Sequence, residues 1–240
     1  MNQLIELHSR KAARILDSAR ELVLDHGVRK VTVSEIAAAA GVGKGTVYLY
    51  WPAKEDLILG LFARDLLAFL DELTARITAD PATVLPRHLA PLLIRAAVVH
   101  VPLARRLQGG DTELLRLLTQ QARDRELFAR TTPTALGEAG LPILRRHGLV
   151  RNDRPLPEQL YAVHAVLTGF AAAAAEPGTA PRGVDDPDRV LADTMAQLLE
   201  PAVAPGPTAI ATAAEETVAV LRQIRQVALE LIERTQTPQQ

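Results

Sequence analysis

The chain has 240 residues and no cysteine, and its 27 Lys and Arg side chains nearly balance 28 Asp and Glu, giving a net charge of −1. A chain of this length can fold as two unequal domains, each with its own core. The lack of cysteine excludes disulfides, a thiolate nucleophile and the common structural zinc sites. Because we find neither an 18-residue apolar run nor an apolar signal segment, we expect a cytoplasmic protein.

The charge is unevenly distributed along the chain. All four lysines lie in residues 1–54, where eight basic and five acidic side chains give a net charge of +3 and leave −4 for the rest. A basic segment on a slightly acidic protein is typical of a surface that binds nucleic acid phosphates. A chance variation in surface charge is the alternative interpretation.

Apolar spacing predicts a first helix over residues 9–26, with Gly27 at its end. Ser34 is a fair N-cap for a short second helix that ends at Gly41. The glycines at 41 and 43 then predict a tight turn between this helix and the next.

A third helix is predicted over residues 44–50. It must end before Pro52, because the residue before a proline is disfavoured in helical conformation. Two short helices around a tight turn are typical of a helix-turn-helix, whose second helix enters the major groove of DNA. Tyr48 and Tyr50 would present hydroxyls to phosphates, and Gly45 would let the backbone approach the duplex. Trp51 is expected to pack inward; the alternative is that all three rings belong to the core.

The rest of the chain also predicts helices. After Pro52 a helix to residue 79 would be roughly 40 Å long, enough to connect two domains. No segment alternates as a strand would, so the sequence predicts an all-α fold with domains at 1–55, 56–204 and 205–240. The further expected helices cover residues 83–100, 111–121, 123–131, 133–147, 157–175, 186–200 and 209–235.

The last expected helix follows a proline-rich linker at 200–207 and carries a wide apolar stripe that must be covered. We expect it to cover the edge of a dimer interface. The alternative is that it closes the core of its own subunit. The stripe consists of Leu221, Ile224, Ala228, Leu231 and Ile232.

The segment VTVSEIAAAAGVGKGTVYLYWPAKEDLILGLF, residues 31–62, resembles the DNA-binding domain of the TetR family of bacterial transcriptional regulators. The resemblance extends over about residues 9–65 and implies a helix-turn-helix at about 32–51. Gly43 stands where the family usually has Ser or Thr, Ala53 where it has Ser or Asn, and Trp51 where it has Phe.

The resemblance implies three groups of DNA contacts. Residues 32–34 would meet the DNA backbone or groove edge, residues of the third helix would form the recognition surface, and the side chain of residue 54 would hold a phosphate. The implied contacts are Thr32, Val33, Ser34, Lys44, Gly45, Thr46, Tyr48, Leu49, Tyr50 and Lys54.

The family resemblance also implies a C-terminal domain for ligand binding and dimerisation. A homodimer would form through about 157–175 and 187–200. Without the resemblance, the apolar residues of 157–175 are equally consistent with a monomer core. These residues are Leu160, Val163, Leu167, Phe170 and Ala174.

Polar side chains within the apolar helices are candidate contacts for a small-molecule effector. The simpler interpretation, which we favour for each of them, is a hydrogen-bonded core or boundary residue. With eight aromatic residues in the chain, the sequence predicts a cavity lined by Leu, Val, Ile and Ala, and therefore an apolar effector. The candidates are His88, Arg95, His100, Gln120, Tyr161 and His164.

Neither catalysis nor a metal or other cofactor is expected. His88 and His100 are too far apart to share one helix face as metal ligands. The segment GVGKGT lacks the spacing of a phosphate-binding loop, and every serine lies within the first 34 residues, away from the larger domain.

The sequence therefore predicts a ligand-responsive DNA-binding transcriptional regulator, a repressor. It would bind a pseudo-palindromic operator as a homodimer and be released by a small-molecule effector. The alternative is a helical ligand-binding or scaffold protein that has lost DNA recognition.

Overall fold

A computed structural model of the chain describes residues 4–101, 133–175, 178 and 183–237. Every regular element within these ranges is helical, which confirms the all-α prediction. The helices expected over 111–121 and 123–131 lie outside the described residues. The α-helices are α1 (Arg10–His26), α2 (Val33–Ala39), α3 (Lys44–Tyr50), α4 (Lys54–Ala79), α5 (Pro86–His100), α6 (Pro133–Arg146), α7 (Leu156–Ala175), α8 (Pro187–Leu199) and α9 (Pro207–Thr235).

The described chain divides into two compact units. We call the first unit the head; it contains residues 4–68, Val101 and 226–237. The second, the body, contains residues 69–100 and the described part of 133–225. This division differs from the expected boundaries, because α4 and α9 each contribute residues to both units.

The head is built around one hydrophobic core to which α1, α2, α3 and the first part of α4 all contribute. Helix α1 begins at Ser9, whose hydroxyl accepts a hydrogen bond from the backbone N–H of Ala12 at 3.2 Å. It ends at Gly27, whose φ of 81° lies in the region that favours glycine. Arg20 of α1 forms an ion pair with the buried carboxylate of Asp65 in α4.

The last turns of α9 complete the core of the head. Leu231 and Ile232 are 0% and 2% exposed and belong to the same cluster as the core residues of α1 to α4. The expectation that this helix covers the edge of a dimer interface is therefore wrong for residues 226–237. The apolar stripe instead closes the core of its own subunit, which was the alternative interpretation.

The body places α5 against α8. Helix α8 buries Leu191, Met195 and Leu199, which are spaced four residues apart and so share one face. At the rim of this contact the guanidinium of Arg87 donates to Glu200, with an Nε–Oε2 distance of 2.8 Å.

Helix α7 is unusual in the body. Although most of its residues are apolar, Gln159 is the one side chain of this helix that is buried. Tyr161 is 77% exposed.

Among the helices described, none combines the length and apolar character needed to cross a membrane.

Candidate DNA-binding interface

Helix α2 begins with a capping box. The backbone N–H of Glu35 donates to Thr32 Oγ1 at 3.2 Å, and the backbone N–H of Thr32 donates to Glu35 Oε2 at 2.8 Å. The hydrogen bond from the Thr32 hydroxyl, followed by that from its backbone, lowers the pKa of Glu35. The N-cap is therefore Thr32, and the expectation that Ser34 caps this helix is wrong.

The turn after α2 reverses the chain through two hydrogen bonds. The N–H of Val42 donates to the carbonyl of Ala37 at 2.9 Å, and the N–H of Gly41 donates to that of Ala38 at 3.1 Å. This pair of bonds is a Schellman motif, which requires a left-handed residue. Gly41 supplies it with a φ of 62°. The predicted turn is thus present, and its geometry fixes where α3 starts.

Helix α3 is held on the core of the head by its inner side. Val47 and Trp51, four residues apart, are 1% and 0% exposed. The expectation that Trp51 packs inward is confirmed. Because Val47 and Trp51 fix one side of α3, the opposite side faces away from the core.

Four residues of α3 are exposed: Lys44, Gly45, Tyr48 and Leu49. Leu49 is 66% and Tyr48 41% exposed, and the ammonium of Lys44 lies 6.0 Å from the centre of the Tyr48 ring. A Cβ built on Gly45 would have no neighbour within 4 Å, so the backbone there is open to a close approach. We call these four residues the recognition face.

Tyr50 has a role within the head. Its hydroxyl lies 2.8 Å from the hydroxyl of Ser9, the N-cap of α1, and its ring is 5.7 Å from that of Trp51. This hydroxyl links α3 to the start of α1, and the expected contact of Tyr50 with a phosphate stays a prediction.

Lys54 is likewise engaged by the head. Its ammonium donates to the backbone carbonyls of Val28 and Val31 at 3.0 and 3.1 Å. Two of its three protons therefore stabilise the loop between α1 and α2, and one is left for a phosphate.

Helix α4 begins without a capping side chain, because Ala53 stands where the family has Ser or Asn. Glu55 and Asp56 in the first turn complement the helix dipole instead.

The start of α2 offers fewer free groups than expected. The side chain of Val33 is buried, and the hydroxyl of Thr32 already takes part in the capping box. Ser34 is exposed. Of the three, Ser34 therefore presents the most accessible hydroxyl, whereas half-buried Thr46 of α3 is only partly accessible.

Sequence reasoning missed three residues that shape this site. The pattern T-x-x-E at 32–35 is a capping-box signature that could have identified Glu35. No sequence signal links Ser9 to Tyr50, or Thr237 to the end of α3, where its N–H donates to the carbonyl of Tyr50.

The candidate effector residues are distributed over two places in the body. His88, Arg95 and His100 line a groove of about 940 Å³ beside α5. Tyr161 and His164 lie on the exposed side of α7 instead, away from the lining of this groove. Gln120 lies outside the described residues. The six candidates therefore do not form one site in the described part of the chain.

The three groove candidates already have partners. His88 Nδ1 lies 3.0 Å from the carbonyl O of Ala82, Arg95 pairs with Asp188, and His100 Nε2 lies 3.6 Å from Glu72 Oε2. Half of the residues that line the groove are charged, and only a quarter of them are Leu, Val or Ala. This groove thus differs from the cavity of Leu, Val, Ile and Ala that the sequence predicted, and it supports the simpler role for these three residues.

We find no cluster of three or more His, Asp or Glu side chains able to hold a metal ion within the described ranges. The head instead presents the short helix α3, whose exposed residues are basic, aromatic and apolar. Val47 and Trp51 hold this helix on the core, and the turn at Gly41 precedes it.

The segment that contains α2 and α3 is also similar to known proteins. Residues 15–61 match the family described as bacterial regulatory proteins, tetR family. The fatty acid metabolism regulator protein of Bacillus subtilis (strain 168) is 38% identical over 63 residues, which are 26% of this chain and 32% of that protein. The chain spans between 32% and 65% of the length of the curated relatives it matches.

Two solved structures show the fold beyond this segment. A TetR family transcription regulator from Marinobacter aquaeolei VT8 superposes with a TM-score of 0.58 at 17% identity, covering 82% of this chain and 99% of that one. The transcriptional regulator FadR from Bacillus subtilis, solved with stearoyl-CoA, gives 0.53 at 18% identity, with coverage of 80% and 98%. The segment 15–61 thus matches the TetR family of bacterial regulatory proteins, and the described chain shares the all-helical fold of these two regulators.

Proposed function

We propose that this protein is a transcriptional repressor that binds a pseudo-palindromic operator as a homodimer and leaves it when a small molecule binds. The observation that carries the proposal is the recognition face of α3. Val47 and Trp51 pack α3 onto the core of the head, and Lys44, Tyr48 and Leu49 are exposed to solvent. This is the presentation that a major-groove helix requires.

Each exposed group has a partner in duplex DNA. The ammonium of Lys44 would contact a phosphate or a guanine edge, and the hydroxyl of Tyr48 would donate to a phosphate. Leu49 would contact a thymine methyl group. The open backbone at Gly45 allows the duplex to come close to the start of α3. The net charge of +3 on residues 1–54 would add sequence-independent attraction.

The homodimer proposal rests on α7. An apolar helix with none of its apolar side chains buried exposes a surface that a second copy would cover. Tyr161 stands at its most exposed part. A second copy packed here would give the two heads the two-fold symmetry that a pseudo-palindromic operator demands.

The effector proposal rests on the family resemblance and on no single cavity of the described chain. FadR of Bacillus subtilis shares the fold and was solved with stearoyl-CoA, so an acyl-CoA is a reasonable first probe. A raised melting temperature together with release of bound operator would support an acyl-CoA effector. Operator release by a short polar compound and not by stearoyl-CoA would contradict the prediction of an apolar effector.

The function is tested by sequencing the genomic fragments that the purified protein retains. The wild-type chain should enrich a small number of fragments with a common motif. The double variant Lys44→Ala, Tyr48→Ala should lose this enrichment, whereas Val203→Ala, in an exposed position outside the head, should keep it. A wild-type chain that folds and dimerises but enriches nothing would favour the alternative, a helical ligand-binding protein without DNA recognition.

A further inference from the structure

Thr237, which follows α9, lies against the end of α3. The backbone N–H of Thr237 donates to the carbonyl O of Tyr50 at 2.9 Å. Its hydroxyl lies 3.4 Å from the carbonyl O of Tyr48, 189 residues away in sequence. Both acceptors are in the last turn of α3, where helix carbonyls have no partner within the helix itself. Thr237 therefore acts as a distant C-terminal cap for α3.

The position of Thr237 is fixed by the residues before it. Leu231 and Ile232 are buried in the core of the head, and Thr235 is 1% exposed. A Cβ added to Gly60 would lie 2.8 Å from Thr235 Oγ1, closer than real contacts allow. Helix α4 and the end of α9 are thus packed with no space for a side chain between them.

We infer that Thr237 is a positioning residue for DNA binding, an inference that rests on the proposed function. Helix α3 has seven residues, too few for a helix that is stable alone. Val47 and Trp51 hold its inner side, and the hydrogen bond from Thr237 holds its last turn. With that turn fixed, Tyr48 and Leu49 would keep one orientation towards the major groove of DNA.

The first test uses the free protein and two chain ends that differ by one residue. A chain ending at Thr237 keeps the hydrogen bond to Tyr50, and a chain ending at Gln236 lacks it. Hydrogen exchange of the amides of residues 48–51 should be the same in the full chain and the longer variant. It should be faster in the shorter one. Equal exchange in all three would overturn the inference, whether or not the protein binds DNA.

The second test measures affinity for a retained genomic fragment. The chain ending at Gln236 should bind about three- to tenfold more weakly than the chain ending at Thr237, the range that one hydrogen bond contributes to an equilibrium. The melting temperature should fall by no more than about 4 °C. Unequal exchange with equal affinity would show a structural cap without a role in DNA binding, and would overturn the positioning claim alone.

Full-length variants repeat the comparison if the shorter chain fails to fold. Thr237→Pro removes the N–H donor and should reproduce both effects. Thr237→Ser keeps both donors and should behave as the wild type. Wild-type exchange and affinity in Thr237→Pro would contradict the inference.

Discussion

Lys54 offers the sharpest test of how the head is built, because its ammonium has two possible roles. It donates to the carbonyls of Val28 and Val31 at 3.0 and 3.1 Å. A hydrogen bond that involves a charged group contributes about 1.5–3 kcal/mol, and the half-buried position of Lys54 reduces that contribution. For both bonds together we expect Lys54→Met to lower the free energy of unfolding by about 2 kcal/mol. For a chain of this size that is a fall in melting temperature of about 4–8 °C.

The matched control is Lys44→Met, which removes an exposed ammonium from the recognition face. Its melting temperature should stay within about 1 °C of the wild type, while the salt dependence of operator binding falls by about one counterion. Melting followed by circular dichroism and binding followed by fluorescence anisotropy give both values. The reasoning would be refuted if Lys54→Met left the melting temperature unchanged and lost as much salt dependence as Lys44→Met. Lys54 would then bind a DNA phosphate and would not stabilise the loop between α1 and α2.

Three further predictions concern the head and the dimer. Gly45→Ala should raise stability by up to about 0.5–1 kcal/mol, as glycine-to-alanine changes in helices do, yet weaken operator binding; stronger binding would contradict a close backbone approach. Because the pKa of Glu35 is lowered in the folded state, the stability it contributes is present above its ordinary pKa of 4.5 and is lost as the pH falls through the lowered value. The difference in melting temperature between wild type and Glu35→Gln should therefore shrink below pH 4.5, and a constant difference would count against it. Phe170→Glu should convert the dimer to a folded monomer in sedimentation experiments, whereas Val203→Glu should not; a dimeric Phe170→Glu would place the interface elsewhere.

Local signals in the sequence predicted much of the head. The spacing of apolar residues located α1, and the glycines around Val42 located the turn, because both depend on neighbours within a few residues. The N-cap of α2 was assigned to Ser34 although Thr32 was the better choice. The reciprocal pattern of Thr32 with Glu35 is local as well, so this error was avoidable.

Other features depend on contacts between distant parts of the chain. Periodicity showed that Leu231 and Ile232 need cover, but it contains no information on which surface covers them. The partners of Lys54 and Tyr50 lie 23 or more residues away in sequence, and only the folded head brings them together. The groove beside α5 was not predictable for the same reason, since its charged lining comes from helices far apart in the chain.

The most direct test of the central claim is a footprint on a retained genomic fragment, with the mass of the complex measured in parallel. A homodimer that uses α3 as its recognition helix should protect an inverted repeat whose half-sites are centred about 34–36 Å apart, or a multiple of that distance. The complex should contain an even number of protein chains for each operator. Protection of a single asymmetric site by one chain, or protection that persists in the double variant Lys44→Ala, Tyr48→Ala, would contradict this account.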